Sequence, residues 1–247
     1  MKTYFVSDFH FGMPNATESR EREQKFVRWL DMVSVDADRI FIMGDMFDFW
    51  FEYKKVVPKG YVRLLGKLAQ MSDKGIEIHL FRGNHDLWAF SYLHDEVGLI
   101  LHREPEIIEL DGKRFFMVHG DGKGPGDKGF KIIKHLFESH LNQWLFCNFH
   151  PDWGIGLALA WSSKHRMKKL CKEQQSKLKT EKLPLYQYAN SVLTENPNID
   201  YFVFGHRHTP LFTTIGLQST LCIVGNWVFD FSYAEWDGNK LELKYFE

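Results

Sequence analysis

Two short stretches carry paired side chains able to hold a metal ion. Asp8 and His10 lie within Ser7–His10 near the start, and His206 and His208 lie within Gly205–His208 near the end. Each pair follows a run of apolar, β-branched or aromatic residues, Tyr4-Phe5-Val6 and Tyr201-Phe202-Val203-Phe204, which reads as a buried strand delivering the pair at its end. Three turns between them offer the same kinds of donor: Asp45 and Asp48 after the strand Arg39–Met43, Asn84, His85 and Asp86 after Ile76–Phe81, and His119 and Asp121 after Arg114–Val118. Asp8, His10, Asp45, Asn84, His119, His206 and His208 together are oxygen and imidazole donors without a thiolate, a set that suits manganese, iron or zinc pairs rather than a structural zinc. These are too many for one catalytic ion that must keep open positions, and they suit two ions sharing one carboxylate. Two ions roughly 3.5 to 4 Å apart clamp both oxygens of an in-line displacement at phosphorus and lower the pKa of water from about 15.7 toward about 7.

The elements that must position these residues alternate. A helix is expected over Glu18–Val33, with Phe26, Val27, Leu30 and Val33 on one face, and another over Tyr61–Met71, closed by Lys74-Gly75. Strand-helix units that end in turns carrying Asp, Asn or His build a site from the loops at the carboxyl ends of strands. Asp111-Gly112, between Ile107–Leu110 and Arg114–Val118, predicts a two-residue hairpin. From Gly122 to about Lys182 the composition shifts to a lysine-rich segment with helical periodicity through Phe130, Ile133, Phe137, Leu141, Trp144 and Leu145, which reads as an insertion. A helix over Tyr186–Thr194 leads back to the Tyr201 strand, and Leu211–Ile215, Leu221–Val224, Phe229–Trp236 and Leu241–Tyr245 read as a closing antiparallel meander. The 247 residues thus divide into an α/β core, 1–121 and 183–247, and a helical lid, 122–182.

The net charge of −1 gives no sign that the protein as a whole binds nucleic acid electrostatically. Cys147, Cys171 and Cys222 have no CxxC spacing and cannot all pair within the chain, which argues for a reducing compartment and against a disulfide framework. Asp8 and His10 fall where an export signal would have its apolar stretch, and the longest apolar run, Trp153–Trp161, contains two glycines and is too short to span a membrane. A cytoplasmic protein is expected.

Asp8-x-His10, Gly44-Asp45-x-x-Asp48, Gly83-Asn84-His85-Asp86, His119-Gly120-Asp121 and Gly205-His206-x-His208, in that order, resemble the five motifs of the calcineurin-like metallophosphoesterases. The resemblance implies two packed mixed β-sheets flanked by helices. It also implies one ion held by Asp8, His10, Asp45 and His208 and another by Asp45, Asn84, His119 and His206, with His85, held by Asp86, assisting the phosphoryl oxygen or the leaving group. Within the family, Ser7–His10, the run Gly44–Trp50, the length and the basic insertion after His119-Gly120-Asp121 are similar to the UDP-2,3-diacylglucosamine hydrolases of lipid A synthesis. These implied traits are attack of a metal-bridging hydroxide on the α-phosphorus, release of UMP and the lipid 1-phosphate, use of two Mn²⁺ ions, and a peripheral place on the inner face of the bacterial inner membrane, with no obligate protein partner. Asn84, His85, Asp127, Ser162, Arg166, Lys169 and His206 would then contact substrate. Bacterial members of that subgroup resemble Gly-Asn-Arg-Asp where this chain has His85, the residue of the wider family. The alternative is a soluble metallophosphoesterase acting on nucleotides or phosphoproteins.

Other readings stay open on sequence. The aromatics of the insertion, Phe130, Phe137, Trp144, Phe146, Phe149, Trp153 and Trp161, serve helix packing, acyl contact or both, and its lysines face solvent or anionic headgroups. Asp48 and Asp86 orient other ligands or are ligands themselves. Gly122-x-Gly124-x-Gly126 is a phosphate cradle or a hinge. His79, His94, His102, His135, His140, His150 and His165 lack comparable company and read as core or surface histidines.

Overall fold

The computed structural model describes residues 2–125, 128–160 and 180–247. Strands β1 (Lys2–Val6), β2 (Ala37–Ile42), β3 (Glu77–Phe81) and β4 (Ile100–His102) run parallel, and β10 (Ser232–Trp236) and β11 (Leu241–Tyr245) add an antiparallel edge, in the order β11-β10-β1-β2-β3-β4. A second mixed sheet has the order β5-β6-β7-β9-β8, from β5 (Glu106–Leu110), β6 (Lys113–Val118), β7 (Tyr201–Phe204), β8 (Leu211–Ile215) and β9 (Ser219–Ile223). This is the two-sheet α/β architecture the motifs imply.

Alternation along the strands makes the layers. Tyr4 and Val6 face helices α1 (Ala16–Val33) and α2 (Val62–Asp73), while Phe5 between them faces the other sheet. Phe5 stacks on Phe41 of its own sheet and on Phe115 of the opposite one, with ring centroids 5.3 and 5.9 Å away. On the far side of the second sheet, Phe116, Phe202 and Phe204 pack with Leu185 and Ala189 of α7 (Pro184–Glu195), completing the αββα order. Helix α1 starts at Ala16 because the Asn15 side chain accepts the Thr17 and Glu18 amides. Asp111 and Gly112 both take positive φ, 50° and 77°, as the expected hairpin requires.

The closing strands differ from the expected meander. Of these four closing strands, β8 and β9 form a hairpin in the second sheet; after β9 the chain crosses to the first sheet, where β10 pairs with β1 and β11. The crossing is made at Gly225–Phe231, where the Asn226 side chain folds the backbone into a turn, and residues 229–231 stay outside the strand expected there. The short helix α3 (Tyr92–Asp95) and edge strand β4 were too brief to carry periodicity.

Between β6 and β7 lie α4 (Lys128–Glu138), α5 (His140–Cys147) and a helical stretch, α6, over residues 151–160. Phe137 and Phe146 pack on Phe51, Leu87 and Trp88 of the core, and the Trp88 indole N–H donates to the Phe137 carbonyl at 2.8 Å. Leu141, Trp144, Trp153 and Leu157 turn outward, with Trp153 69% exposed. Among the described residues no helix is long and apolar enough to cross a membrane.

Candidate metal centre

Asp8, His10, Asp45 and His206 hold positive φ angles of 56°, 46°, 52° and 63°. Non-glycine residues take this region at a cost that surrounding contacts must offset. The offset is visible: the amides of Asp8, Phe9 and His10 donate to the carbonyls of Gly44, Asp45 and Asp45, tying the turn after β1 to the turn after β2. Arg22, buried on the inner face of α1, adds three bonds to the same turn, to the carbonyls of Phe9, His10 and Met13. Gly83 opens the turn after β3, where any Cβ would run into the Asp45 carboxylate.

The side chains converge in two groups. Asp8, His10 and His208 present ligand atoms within 4.8 Å of one another, as do Asp45, His119 and His206. In the first, His208 Nε2 lies 3.1 Å from Asp8 Oδ1 and 3.2 Å from His10 Nε2. In the second, His119 Nε2 lies 3.3 Å from Asp45 Oδ2. The same Asp45 oxygen lies 3.7 Å from His10 Nε2, so one carboxylate reaches both groups. Asp45 Oδ1 accepts the His85 amide at 3.0 Å. A third overlapping group joins His10, Asp48 and His85.

The donor atoms fit cations. Asp8 Oδ1, Asn84 Oδ1 and His119 Nε2 are buried and make no hydrogen bond among the described residues, an expensive state for polar atoms unless a ligand fills it. The His119 Nδ1 lies 2.6 Å from the Met43 carbonyl, which can only accept, so the proton sits on Nδ1 and Nε2 turns to the centre. Burial opposes charge on Asp45, yet His119, His85 and His10 around it hold its carboxyl well below the usual range. His119 moves oppositely: burial favours its neutral form, and the Asp45 carboxylate outweighs that and raises its pKa. Burial and the neighbouring His119 lower His206 to about 4, leaving a neutral imidazole for coordination. Oxygen and nitrogen ligands around a shared anionic carboxylate match the donor set of a pair of divalent ions.

His85 and Asp86 divide their work differently from expectation. The Asp86 carboxylate accepts the amides of Met46 and Gly83, fastening the turns after β2 and β3 to each other rather than gripping the His85 ring. The His85 ring lies with Nδ1 2.9 Å from the Asp48 carbonyl and edge-on to His10, centroids 4.9 Å apart. Burial and the Asp45 charge push Asp86 up to about 6. Asp48, with Oδ1 3.9 Å from His10 Nδ1, stands behind that ring. Asp127, Ser162, Arg166 and Lys169 lie outside the described residues, as do the side chain of Phe130 and all of Trp161.

Sequence reading missed two supports. Arg22 had a legible signal, a cation on the apolar face of α1 with Phe26 and Trp29. Asn226 had none, because nothing local shows that its turn lies against the turn carrying His208.

The family of calcineurin-like phosphoesterases matches residues 1–210. The UDP-2,3-diacylglucosamine hydrolase of Porphyromonas gingivalis is 36% identical to this chain over 262 residues, covering 100% of the chain and 98% of that protein. The protein of the same name from Escherichia coli O6:K15:H31 is 24% identical over 249 residues, covering 100% and 99%. Among solved structures, the E. coli phosphoesterase Yfce is 17% identical at a TM-score of 0.45, covering 98% of this chain and 91% of that one.

Proposed function

The chain belongs to the calcineurin-like phosphoesterase family and is a metal-dependent hydrolase, and on that premise we propose that it cleaves the diphosphate of UDP-2,3-diacylglucosamine at the α-phosphorus. The products are UMP and 2,3-diacylglucosamine 1-phosphate, the metal pair is Mn²⁺, and the site of work is the cytoplasmic face of the bacterial inner membrane. The observation that carries this reading is similarity along the whole chain to a relative bearing that substrate's name, joined to two ligand groups sharing Asp45.

Bound divalent ions supply a nucleophilic water at neutral pH and offset charge on the phosphate. Asp8, His10, Asp45 and His208 would hold one, and Asp45, Asn84, His119 and His206 the other. His85 is fixed by its Nδ1–H on the Asp48 carbonyl and presents Nε2 to the phosphate; burial favours its neutral ring, so Nε2 would take up the proton that the attacking water loses and hand it to the departing oxygen. Attack forms the new P–O bond on the uridine side as the bond to the bridging oxygen breaks, and that oxygen leaves with the lipid phosphate.

Residues 122–182 serve as the lid. Phe137 and Phe146 join Phe51, Leu87 and Trp88 in an apolar cluster, and each acyl methylene buried there contributes about 0.8 kcal/mol. The outward Leu141, Trp144, Trp153 and Leu157 suit the interfacial layer of a bilayer. By resemblance Asp127 is assigned to contact the substrate, and Ser162, Arg166 and Lys169 to meet the sugar phosphate.

Incubating the purified protein and Mn²⁺ with UDP-2,3-diacylglucosamine and measuring UMP tests the assignment. Release of UMP is expected; turnover of soluble phosphodiesters with no UMP from the lipid substrate would replace this reading by the soluble phosphoesterase that His85 also fits.

A further inference from the structure

The crossover from β9 to β10 passes beside the candidate metal centre. Asn226 at its head is completely buried and uses its whole side-chain capacity. Its Nδ2 donates to the His208 carbonyl at 2.7 Å and to Asp230 Oδ2 at 2.6 Å, while its Oδ1 accepts the amides of Val228 and Phe229. The next amide, Trp227 N–H, donates to the Asp8 carbonyl at 3.1 Å. The Trp227 indole is sealed among Phe9, Phe26, Trp29 and Phe231, so the turn is anchored in the core. Gly225 is required ahead of it: φ is +93° and any Cβ would strike Ser232 and Pro210.

Two adjacent residues therefore hold the backbones of Asp8 and His208, which lie 200 positions apart and meet at 3.1 Å through Oδ1 and Nε2. Both belong to the group of Asp8, His10 and His208. In the other group His119 is braced by the Met43 carbonyl and Asp45 by the His85 amide, while the His206 amide donates to Asp8 Oδ2 at 2.9 Å.

We propose that Asn226 is a positioning residue for one of the two cations, closing the Gly225–Phe231 turn onto Asp8 and His208 and fixing the gap between their ligand atoms. The inference takes the two-ion reading of the centre as given and adds an asymmetry to it: the turn acts on one ion directly and reaches the other only through Asp8, whose Oδ2 accepts the His206 amide. Loss of a group that orients ligands from behind typically weakens metal binding about 10- to 100-fold.

The test is titration of chelator-treated protein with Mn²⁺ alone, followed by calorimetry and by the electron paramagnetic resonance signal of coupled against isolated Mn²⁺. The native chain should take up two ions; fewer would sink the two-ion reading itself, a failure distinct from that of Asn226. Asn226→Ala should keep one ion at near-native affinity, weaken the other at least tenfold, and replace the coupled signal by an isolated one. Asp230→Asn leaves the Asn226 bond to His208 in place and should change neither affinity more than about threefold. Should Asn226→Ala fail to fold, Asn226→Asp, which keeps the oxygen that accepts from Val228 and Phe229 but lacks the donor to His208, is read the same way. Equal weakening of both ions, or two ions bound with native affinity, would overturn the proposal.

Discussion

Replacing Asp45 by Asn tests whether one carboxylate serves both ions. Asp45 is almost fully buried, its Oδ2 within 3.3 Å of His119 Nε2 and 3.7 Å of His10 Nε2, and its Oδ1 accepts the His85 amide. Asparagine keeps the shape and the amide contact but removes the charge both groups share. In the native protein, free Mn²⁺ at one hundred times each dissociation constant stabilises by about 2.7 kcal/mol per ion, or about 5 kcal/mol for two. For a chain of this size that raises the melting temperature by about 10 to 20 °C. A hundredfold loss at each site leaves about 0.4 kcal/mol per ion at the same concentration, a shift of about 3 °C or less. The assay is differential scanning calorimetry of each protein with and without Mn²⁺, so loss of the buried Asp45–His119 pair is read from the metal-free baselines. Hydrolysis should fall at least about a thousandfold, since charge compensation worth several kcal/mol goes with the ions. A full metal-dependent shift in Asp45→Asn would refute the shared-carboxylate geometry.

His85→Ala should lower kcat by about 100-fold or more while both ions remain bound, as calorimetric stoichiometry would show. Arg22→Ala strips three backbone carbonyls of their donor and should cost about 3 kcal/mol in urea unfolding, with weaker Mn²⁺ uptake because the turn carrying Asp8 and His10 loosens. His79, buried against His102 and stacked on Phe41, has its pKa lowered by burial to about 4, below the 6.5 of the unfolded chain. Its neutral ring therefore contributes stability that is fully present above pH 6.5 and is lost as pH falls toward 4, about 2 kcal/mol after allowance for partial solvent access. Urea midpoints at pH 7 and pH 4.5 should draw together in His79→Leu relative to the native chain; an unchanged gap would refute that origin.

What could be read from sequence was whatever sits close together along the chain. Tyr4-Phe5-Val6 announces a strand and Asp8-x-His10 its ligands, and the Asp111-Gly112 turn requires only two residues. The repeated pattern of strand followed by polar turn marks the turns of Asp8, Asp45, Asn84, His119 and His206, and the structure gathers Asp8, His10 and His208 in one group and Asp45, His119 and His206 in another. The Asn226 crossover was hidden because strands β9 and β10 are consecutive, and which sheet each joins depends on partners far away in the chain. The family resemblance implies Asp86 as the support of the His85 ring, whereas the Asp86 carboxylate accepts the Met46 and Gly83 amides and the ring lies on the Asp48 carbonyl. The pairing of His79 with His102, 2.9 Å apart, likewise needs β3 and β4 to be neighbours, and β4 is only three residues long.

The most direct measurement is anomalous diffraction at the manganese edge from crystals grown with Mn²⁺. The account predicts two peaks, one among Asp8, His10 and His208, the other among His119, His206 and Asn84, with the Asp45 carboxylate between them. A single peak, or two peaks that do not share Asp45, would contradict it.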